Sequence, residues 1–291
     1  MNLLTPAKIL LFGEFTTING GDALAMPLKL FQGQWKQGND SKLQRDLSQF
    51  FTFLKKLNYT FVEMERLQKD LDNGWYFDSN IPEGYGVGSS GALIAATLKK
   101  YGDHDFLKSL PLSKLKKITA EIEGYFHGAS SGTDPLVCYI GKTILIKGNG
   151  EIITLENWKK PQSDYQLFLL DTNHPRKAEP LIKWFLEQND KADFQSTIRP
   201  QLLNINKQAI DAFLLNDYKN LWQVMSEMSQ LQFDHLPGLI PDFLHNVWLQ
   251  GLDSDLFKLK ICGAGGGGFM IGMTRDLDEV KSEIGFEVYE I

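Results

Sequence analysis

Gly84-Tyr85-Gly86-Val87-Gly88-Ser89-Ser90-Gly91 runs directly into Ala92-Leu93-Ile94-Ala95-Ala96-Thr97-Leu98. The second half, rich in alanine and leucine, favours a helix, so the glycine-rich half reads as a turn that opens one. A helix start leaves backbone N–H groups unpaired, and its dipole favours negative charge there. Glycines let the backbone approach an anion closely and adopt positive φ, and Ser89 and Ser90 add hydroxyls for a phosphate or a metal ion. Residues 84–91 therefore read as a phosphate cradle, with an ordinary glycine-rich turn as the plain rival. No lysine follows, so this is not a Walker A loop. No strand-helix-strand unit with a ribose-binding acid follows either, which argues against a dinucleotide fingerprint.

Upstream, residues 7–12 form an apolar run closed by Gly13, the pattern of a buried strand ending in a turn. A second strand-like piece covers residues 23–30. Leu43, Leu47, Phe50, Phe51 and Leu54 recur at helical spacing, and residues 75–81 are aromatic and extended in character. Downstream, Leu112, Leu115, Ile118, Ile122 and Phe126 predict a helix ending at His127-Gly128, followed by a loop over 129–135. Strands are predicted over 136–140, 143–146 and 152–155. From residue 177 to about 252 the pattern is helical, notably over 181–185, 202–215 and 221–231. A last strand pair, 257–262 and 269–273, flanks Gly263-Ala264-Gly265-Gly266-Gly267-Gly268. The change in pattern predicts two domains, 1–160 and 161–291.

Composition agrees with that count. The chain has 291 residues, 43% of them hydrophobic, enough to bury a sizeable core in about two domains. Charged residues make up 23%, without long runs, and the net charge is -6. That leaves no electrostatic footprint for nucleic acid or an anionic membrane. Cys138 and Cys262 lie too far apart for a Cys-x-x-Cys pair and read as core thiols. The N-terminus lacks a signal-peptide pattern, and no apolar run nears the ~18 residues needed to span a bilayer. The expectation is a cytoplasmic protein.

Read in order, Pro6-Ala7-Lys8-Ile9-Leu10-Leu11-Phe12-Gly13-Glu14, the 84–92 run, and Lys260-Ile261-Cys262 with the glycines after it resemble the three motifs of the GHMP kinases. That superfamily includes galactokinase, homoserine kinase, mevalonate kinase and phosphomevalonate kinase. Glu123-Gly124-Tyr125-Phe126-His127-Gly128-Ala129-Ser130-Ser131-Gly132-Thr133-Asp134 resembles the mevalonate kinase segment that carries a magnesium-binding glutamate and a catalytic aspartate. The resemblance covers nearly the whole chain. It implies an α+β fold of two domains: an N-terminal mixed α/β domain with a left-handed β-α-β crossover and a ferredoxin-like C-terminal domain, with ATP bound between them.

It also implies roles. Ser90 and Glu123 would hold Mg²⁺, a hard ion that keeps few protein ligands and takes the rest from phosphates and water. Asp134 would orient or deprotonate the acceptor hydroxyl, and Lys8 would sit beside it and offset developing charge. Gly84, Gly86, Gly88, Ser89, Ser90 and Gly91, with Gly263, Gly265 and Gly266, would meet the phosphates. Each has a bland rival: a solvated lysine on an edge strand, an exposed helix acid, a turn residue before Pro135. His127 reads as the end of a helix, and His104, His174, His235 and His245 show no metal-ligand spacing.

The acceptor is less sharply marked. Glu14 and Phe15 align with the Gly-Glu-His stretch of mevalonate kinases, where the histidine lies near the acceptor, and an aromatic residue there is commoner in phosphomevalonate kinases. The 123–134 segment and Asp171-Thr172-Asn173-His174-Pro175-Arg176 look more like mevalonate kinase, with Arg176 facing the acceptor carboxylate. The expected activity is phosphorylation of a small-molecule alcohol, mevalonate, with phosphomevalonate second and a diphosphomevalonate decarboxylase third. The different-class alternative is a nucleotide-binding regulatory relative that has lost catalysis. Such a protein would lack an acid or the lysine, whereas Lys8, Ser90, Glu123 and Asp134 are all present. A homodimer is one option for the assembly.

Overall fold

The computed structural model describes residues 4–38, 41–156 and 163–291. The chain begins with strands β1 (Thr5–Phe12) and β2 (Ala23–Gln37), helices α1 (Ser41–Leu57) and α2 (Met64–Asp72), and strand β3 (Trp75–Ser79). Helices α3 (Ser89–Tyr101), α4 (His104–Ser109), α5 (Leu112–His127) and α6 (Thr133–Ile140) follow, then strands β4 (Ile144–Ile146), β5 (Ile152–Thr154) and β6 (Gln166–Asp171). Helices α7 (Ala178–Asn189), α8 (Arg199–Leu214), α9 (Tyr218–His235) and α10 (His245–Asp253) lead to strands β7 (Phe257–Ile261) and β8 (Phe269–Thr274), helix α11 (Leu277–Glu283) and strand β9 (Glu287–Glu290). Among the described residues the architecture is mixed α/β with two sheets.

The chain divides into two compact units. The first takes the residues up to Lys8, Met26–Pro82 and Val87–Thr143; the second takes Ile9–Ala25, Glu83–Gly86 and Ile144–Ile291. The sequence-predicted boundary near residue 160 falls among residues 157–162, which lie outside the described residues.

In the first unit, β2 and β3 pair antiparallel from Gly33↔Ser79 to Gln37↔Trp75. Helix α3 is its centre. Gly91, Ala92, Ile94, Ala95, Ala96 and Leu98 are all buried, and the small side chains let α6 come close. A Cβ on Gly91 would stand 2.8 Å from the Pro135 nitrogen and 2.9 Å from the Asp134 carbonyl carbon. That contact fixes Asp134 at the start of α6 beside the start of α3. The amphipathic pattern of α5 buries Leu115, Ile122 and Glu123.

Residues 136–140, expected as a strand, are helical in α6, which is a correction to the sequence reading. A short apolar run bounded by turn residues is ambiguous between a buried strand and a buried helix. Here Pro135 suits the first helical turn, and Leu136, Val137 and Cys138 are all buried. Helices α2 and α4 and strands β6 and β9 were not anticipated.

The second unit holds an antiparallel four-stranded sheet in the order β7-β8-β6-β9. Strand β7 pairs with β8 from Phe257↔Thr274 to Ile261↔Met270, so the glycine run 263–268 is the connection of this hairpin. Helix α9 covers the 221–231 stretch expected to be helical and buries Leu221, Trp222, Met225, Met228 and Leu231. Trp248 of α10, fully buried, donates to the Ser229 carbonyl at 3.2 Å. Cys138 and Cys262 are buried, as expected of core thiols. Among the described residues no helix is long and apolar enough to cross a membrane.

Candidate active site

The first unit gathers Lys8, Gly88, Ser90, Gly91, Glu123 and Asp134. Lys8 lies on β1, and its backbone N–H donates to the Val87 carbonyl at 2.9 Å, which ties the strand to the glycine-rich turn. Its Nζ stands 2.9 Å from Asp134 Oδ1; the lysine side chain is 7% exposed and the aspartate side chain 32%. The pair is thus half open. Gly88, at φ 77°, takes a left-handed conformation at the cap of α3. A Cβ there would meet Lys8 Cγ at 3.0 Å and Asp134 Oδ2 at 3.4 Å, so the turn passes over the ion pair only because Gly88 has no side chain. No side chain caps α3, and the first-turn N–H groups keep their affinity for an anion.

Beside the pair, Ser90 Oγ donates to Glu123 Oε1 at 3.2 Å and lies 3.1 Å from His127 Nε2. Ser130 donates to the other oxygen of Glu123, and the Gly132 N–H donates to Ser130 Oγ at 2.9 Å. Burial, and next the charge of Asp134, push the Glu123 carboxyl up to about 7, against the pull of Ser130, Lys8 and Ser90. A buried carboxylate beside a second carboxylate and a hydroxyl is an oxygen donor set that suits a hard divalent cation, whose charge would relieve that repulsion.

The second unit gathers Glu14, Phe15, Gly84, Gly86, Arg176 and the 263–268 run. Glu14 is buried and paired with Lys260, Nζ to Oε1 2.6 Å, and Lys260 Nζ also donates to the Ile261 carbonyl at 2.7 Å. Burial pushes the Glu14 carboxyl up, while Lys260 and the N–H groups of Glu14 and Gly263 pull it back. Phe15 holds φ 62°, a strained conformation for a bulky residue, and its ring stacks on Phe185 at 4.3 Å between centroids. Arg176 lies between the two glycine turns: its backbone N–H donates to the Gly84 carbonyl at 3.0 Å, and Nη2 reaches the Cys262 carbonyl at 3.5 Å. The N–H groups of Gly265 and Gly266 donate to the carbonyls of Cys262 and Leu239 at 3.2 and 2.7 Å.

Three participants have no site role in the sequence reading. Lys260 is fully buried, although Phe257-Lys258-Leu259-Lys260-Ile261 alternates as if its lysines faced water. Its place directly before a glycine run was the available signal. Ser130 lies within the quoted acidic segment, yet nothing in its spacing marks it as a partner of Glu123. His127 does end α5, and it also touches Ser90.

Residues 53–142 match the family model described as GHMP kinases N terminal domain. The chain is 26% identical to the mevalonate kinase of Thermococcus onnurineus over 96% of its own length and 90% of that protein's. Among solved structures it resembles L. major mevalonate kinase in complex with R-mevalonate, with a TM-score of 0.67 at 16% identity, covering 100% of this chain and 94% of that one. It also resembles Streptococcus pneumoniae phosphomevalonate kinase in complex with phosphomevalonate and AMPPNP, with a TM-score of 0.68 at 14% identity and full coverage of both chains. At these identities the structural likeness speaks for the fold.

Proposed function

We propose that the chain is a phosphotransferase of the GHMP kinase family, a reading supported by the family-model match over residues 53–142 and by the 26% identity to a mevalonate kinase, and that it transfers the γ-phosphoryl group of ATP to the hydroxyl of mevalonate. The observation that carries this reading is the Lys8–Asp134 pair at 2.9 Å, half open and covered by a glycine turn that starts a helix.

In the proposed step the acceptor hydroxyl oxygen forms a bond to the γ-phosphorus while the bond from that phosphorus to the β–γ bridging oxygen breaks. ADP leaves with the electron pair, and the hydroxyl proton passes to Asp134. Lys8 holds Asp134 in place through the 2.9 Å pair and offsets charge on the transferring group. Positioning and charge do most of the work in phosphoryl transfer, so the carboxylate need only orient the hydroxyl until the proton is released. Ser90 and Glu123 would hold Mg²⁺, which when bound neutralises phosphate charge. Gly84, Gly86, Gly88, Ser89, Ser90 and Gly91 line the phosphates, joined by Gly263. Gly265 and Gly266 shape that second turn through their own backbone hydrogen bonds.

Mevalonate is favoured by the 26% identity to a mevalonate kinase over almost the whole chain. Phosphomevalonate is the second reading, favoured by the aromatic Phe15 after Glu14. Because Glu14 is held by Lys260 and Phe15 by Phe185, both act on the acceptor by shaping its surroundings. The test is kcat/KM for mevalonate and for phosphomevalonate at the same ATP and magnesium concentrations. Mevalonate should win; a tenfold preference for phosphomevalonate, about 1.4 kcal/mol, would replace the acceptor and leave the kinase reading in place.

A further inference from the structure

Glu123 and His127 stand one helical turn apart near the end of α5, so their side chains leave the helix on the same face. Both reach one atom at the start of α3: Ser90 Oγ lies 3.2 Å from Glu123 Oε1 and 3.1 Å from His127 Nε2. A serine hydroxyl has one proton to give, and a carboxylate oxygen or a bare imidazole nitrogen can accept it. The two acceptors compete for that proton. The other oxygen of Glu123 accepts from Ser130, whose Oγ accepts in turn from the Gly132 N–H at 2.9 Å, so the carboxylate is held from the far side. Glu123 is buried, whereas His127 is exposed at the helix end. All five residues belong to the first unit.

We propose that His127 is a positioning residue of the cation site, its Nε2 accepting the Ser90 hydroxyl proton so that Ser90 Oγ and Glu123 Oε1 both offer lone pairs to Mg²⁺. The inference rests on the reading of Ser90 and Glu123 as protein ligands of that ion. A proton left between Ser90 and Glu123 would lie between two ligand oxygens of one cation, where it opposes the charge of the ion and occupies the carboxylate oxygen. Handing it to His127 removes the conflict. The imidazole then carries its own proton on Nδ1 and adds no charge to the site. It acts from behind Ser90, since Mg²⁺ is a hard ion that takes oxygen ligands. Partners of this kind, one bond behind the metal ligands, govern about 10- to 100-fold in metal affinity or activity. The plain rival is that His127 only ends α5, where a basic side chain suits the helix dipole.

The test reads the proton and the metal separately on the full-length protein. Two-bond ¹H–¹⁵N spectra at about pH 8.5, roughly two units above the usual histidine value, show which ring nitrogen carries the proton, and His127→Gln assigns the resonance. With Mg²⁺ and a non-hydrolysable ATP analogue bound, the His127 ring should be neutral with Nε2 bare. A proton on Nε2 overturns the proposal, because the ring would then donate to Ser90. Free Mn²⁺, counted by electron paramagnetic resonance in the presence of the same analogue, gives metal affinity without turnover. His127→Ala should weaken it about tenfold, and His127→Gln, whose amide oxygen can accept in place of Nε2, should stay within about threefold of wild type. Wild-type affinity in His127→Ala overturns the proposal, and so does a glutamine variant as weak as the alanine one, the result that lost packing at a helix end would give. If His127→Ala does not fold, the wild-type spectrum decides. Glu123→Gln separates the two levels: weakened Mn²⁺ binding there with none in His127→Ala refutes His127 alone, whereas unchanged binding in Glu123→Gln removes the cation site and the role of His127 with it. Wild type that binds Mn²⁺ and the analogue but ignores mevalonate loses only the acceptor reading, and the spectra and titrations still decide His127. Wild type that binds no nucleotide would overturn both.

Discussion

Lys8 and Lys260 each end in a short ion pair, and the two pairs differ in what surrounds them. Lys8 meets Asp134 at 2.9 Å with a third of the carboxylate side chain open, whereas Lys260 meets Glu14 at 2.6 Å with both side chains sealed, 0% and 3% exposed. A sealed pair gives up its hydration for one partner, and its main effect is that neither charge can be removed alone. A half-open pair holds one partner fixed and leaves the other carboxylate oxygen available to a ligand. Accessibility, more than distance, separates the pair suited to chemistry from the pair suited to holding β7 and the turn after Glu14 together.

The largest expected break between the two is in rate. Asp134→Asn should cut turnover by about 10²- to 10⁴-fold with ATP affinity close to wild type. Steady-state rates over an ATP titration would reveal this, and wild-type turnover would end the claim that Asp134 acts on the acceptor. Next comes stability. Glu14→Gln strands a buried lysine charge and should cost about 3–5 kcal/mol in urea unfolding, much more than Asp134→Asn does. Glu14→Leu combined with Lys260→Met should recover most of that loss, because an apolar pair replaces an ion pair in a dry site. A double variant as unstable as the single would mean that the charges themselves are needed.

The Ser90–Glu123 pair sharpens the comparison from the ligand side. Ser90→Ala and Glu123→Gln should each raise the magnesium concentration for half-maximal rate by about tenfold, a difference of about 1.4 kcal/mol. Unchanged magnesium curves in both variants would remove that site.

The smallest effect belongs to a third lysine pair, Asp70 with Lys100 at 2.8 Å, where Tyr101 also donates to the carboxylate at 2.9 Å. Burial would raise the Asp70 carboxyl, but Lys100 and Tyr101 outweigh it and hold the group below its ordinary value. A depressed folded value means stability that is present above the unfolded value, about 3.9, and lost as pH falls through the folded one. Asp70→Asn should therefore cost about 0.5–1 kcal/mol at pH 7, with the gap from wild type closing toward pH 2 in thermal melts.

Much of this is legible in the sequence. The residues that the motifs singled out in the first unit, Lys8, Gly88, Ser90, Glu123 and Asp134, do lie together, because each sits at an element end that local chemistry fixes: a strand closing on glycine, a glycine turn opening a helix, an acid on the buried stripe of α5. The start of α6 was read as loop and strand because five apolar residues carry no periodicity of their own. Lys260 was passed over because alternation along β7 implies one wet face, and only tertiary packing shows that both are covered. The direction of Arg176 was also illegible, since nothing in its local sequence tells which glycines will fold around it.

The glycine run between β7 and β8 invites the idea of a supple flap, yet its backbone is largely spoken for. Gly265, Gly266 and Gly268 donate to the carbonyls of Cys262, Leu239 and His174, and Gly268 accepts from both the N–H and the hydroxyl of Thr172. Its glycines admit neighbours: a Cβ on Gly268 would stand 2.7 Å from the Tyr85 Cα, and one on Gly267 would stand 2.5 Å from the His174 carbonyl oxygen. A segment held this way has little conformational entropy left to lose, so the phosphate contact proposed for it would cost little in ordering. Its amides should exchange with deuterated solvent slowly, at rates nearer those of the adjoining strands than those of an open loop.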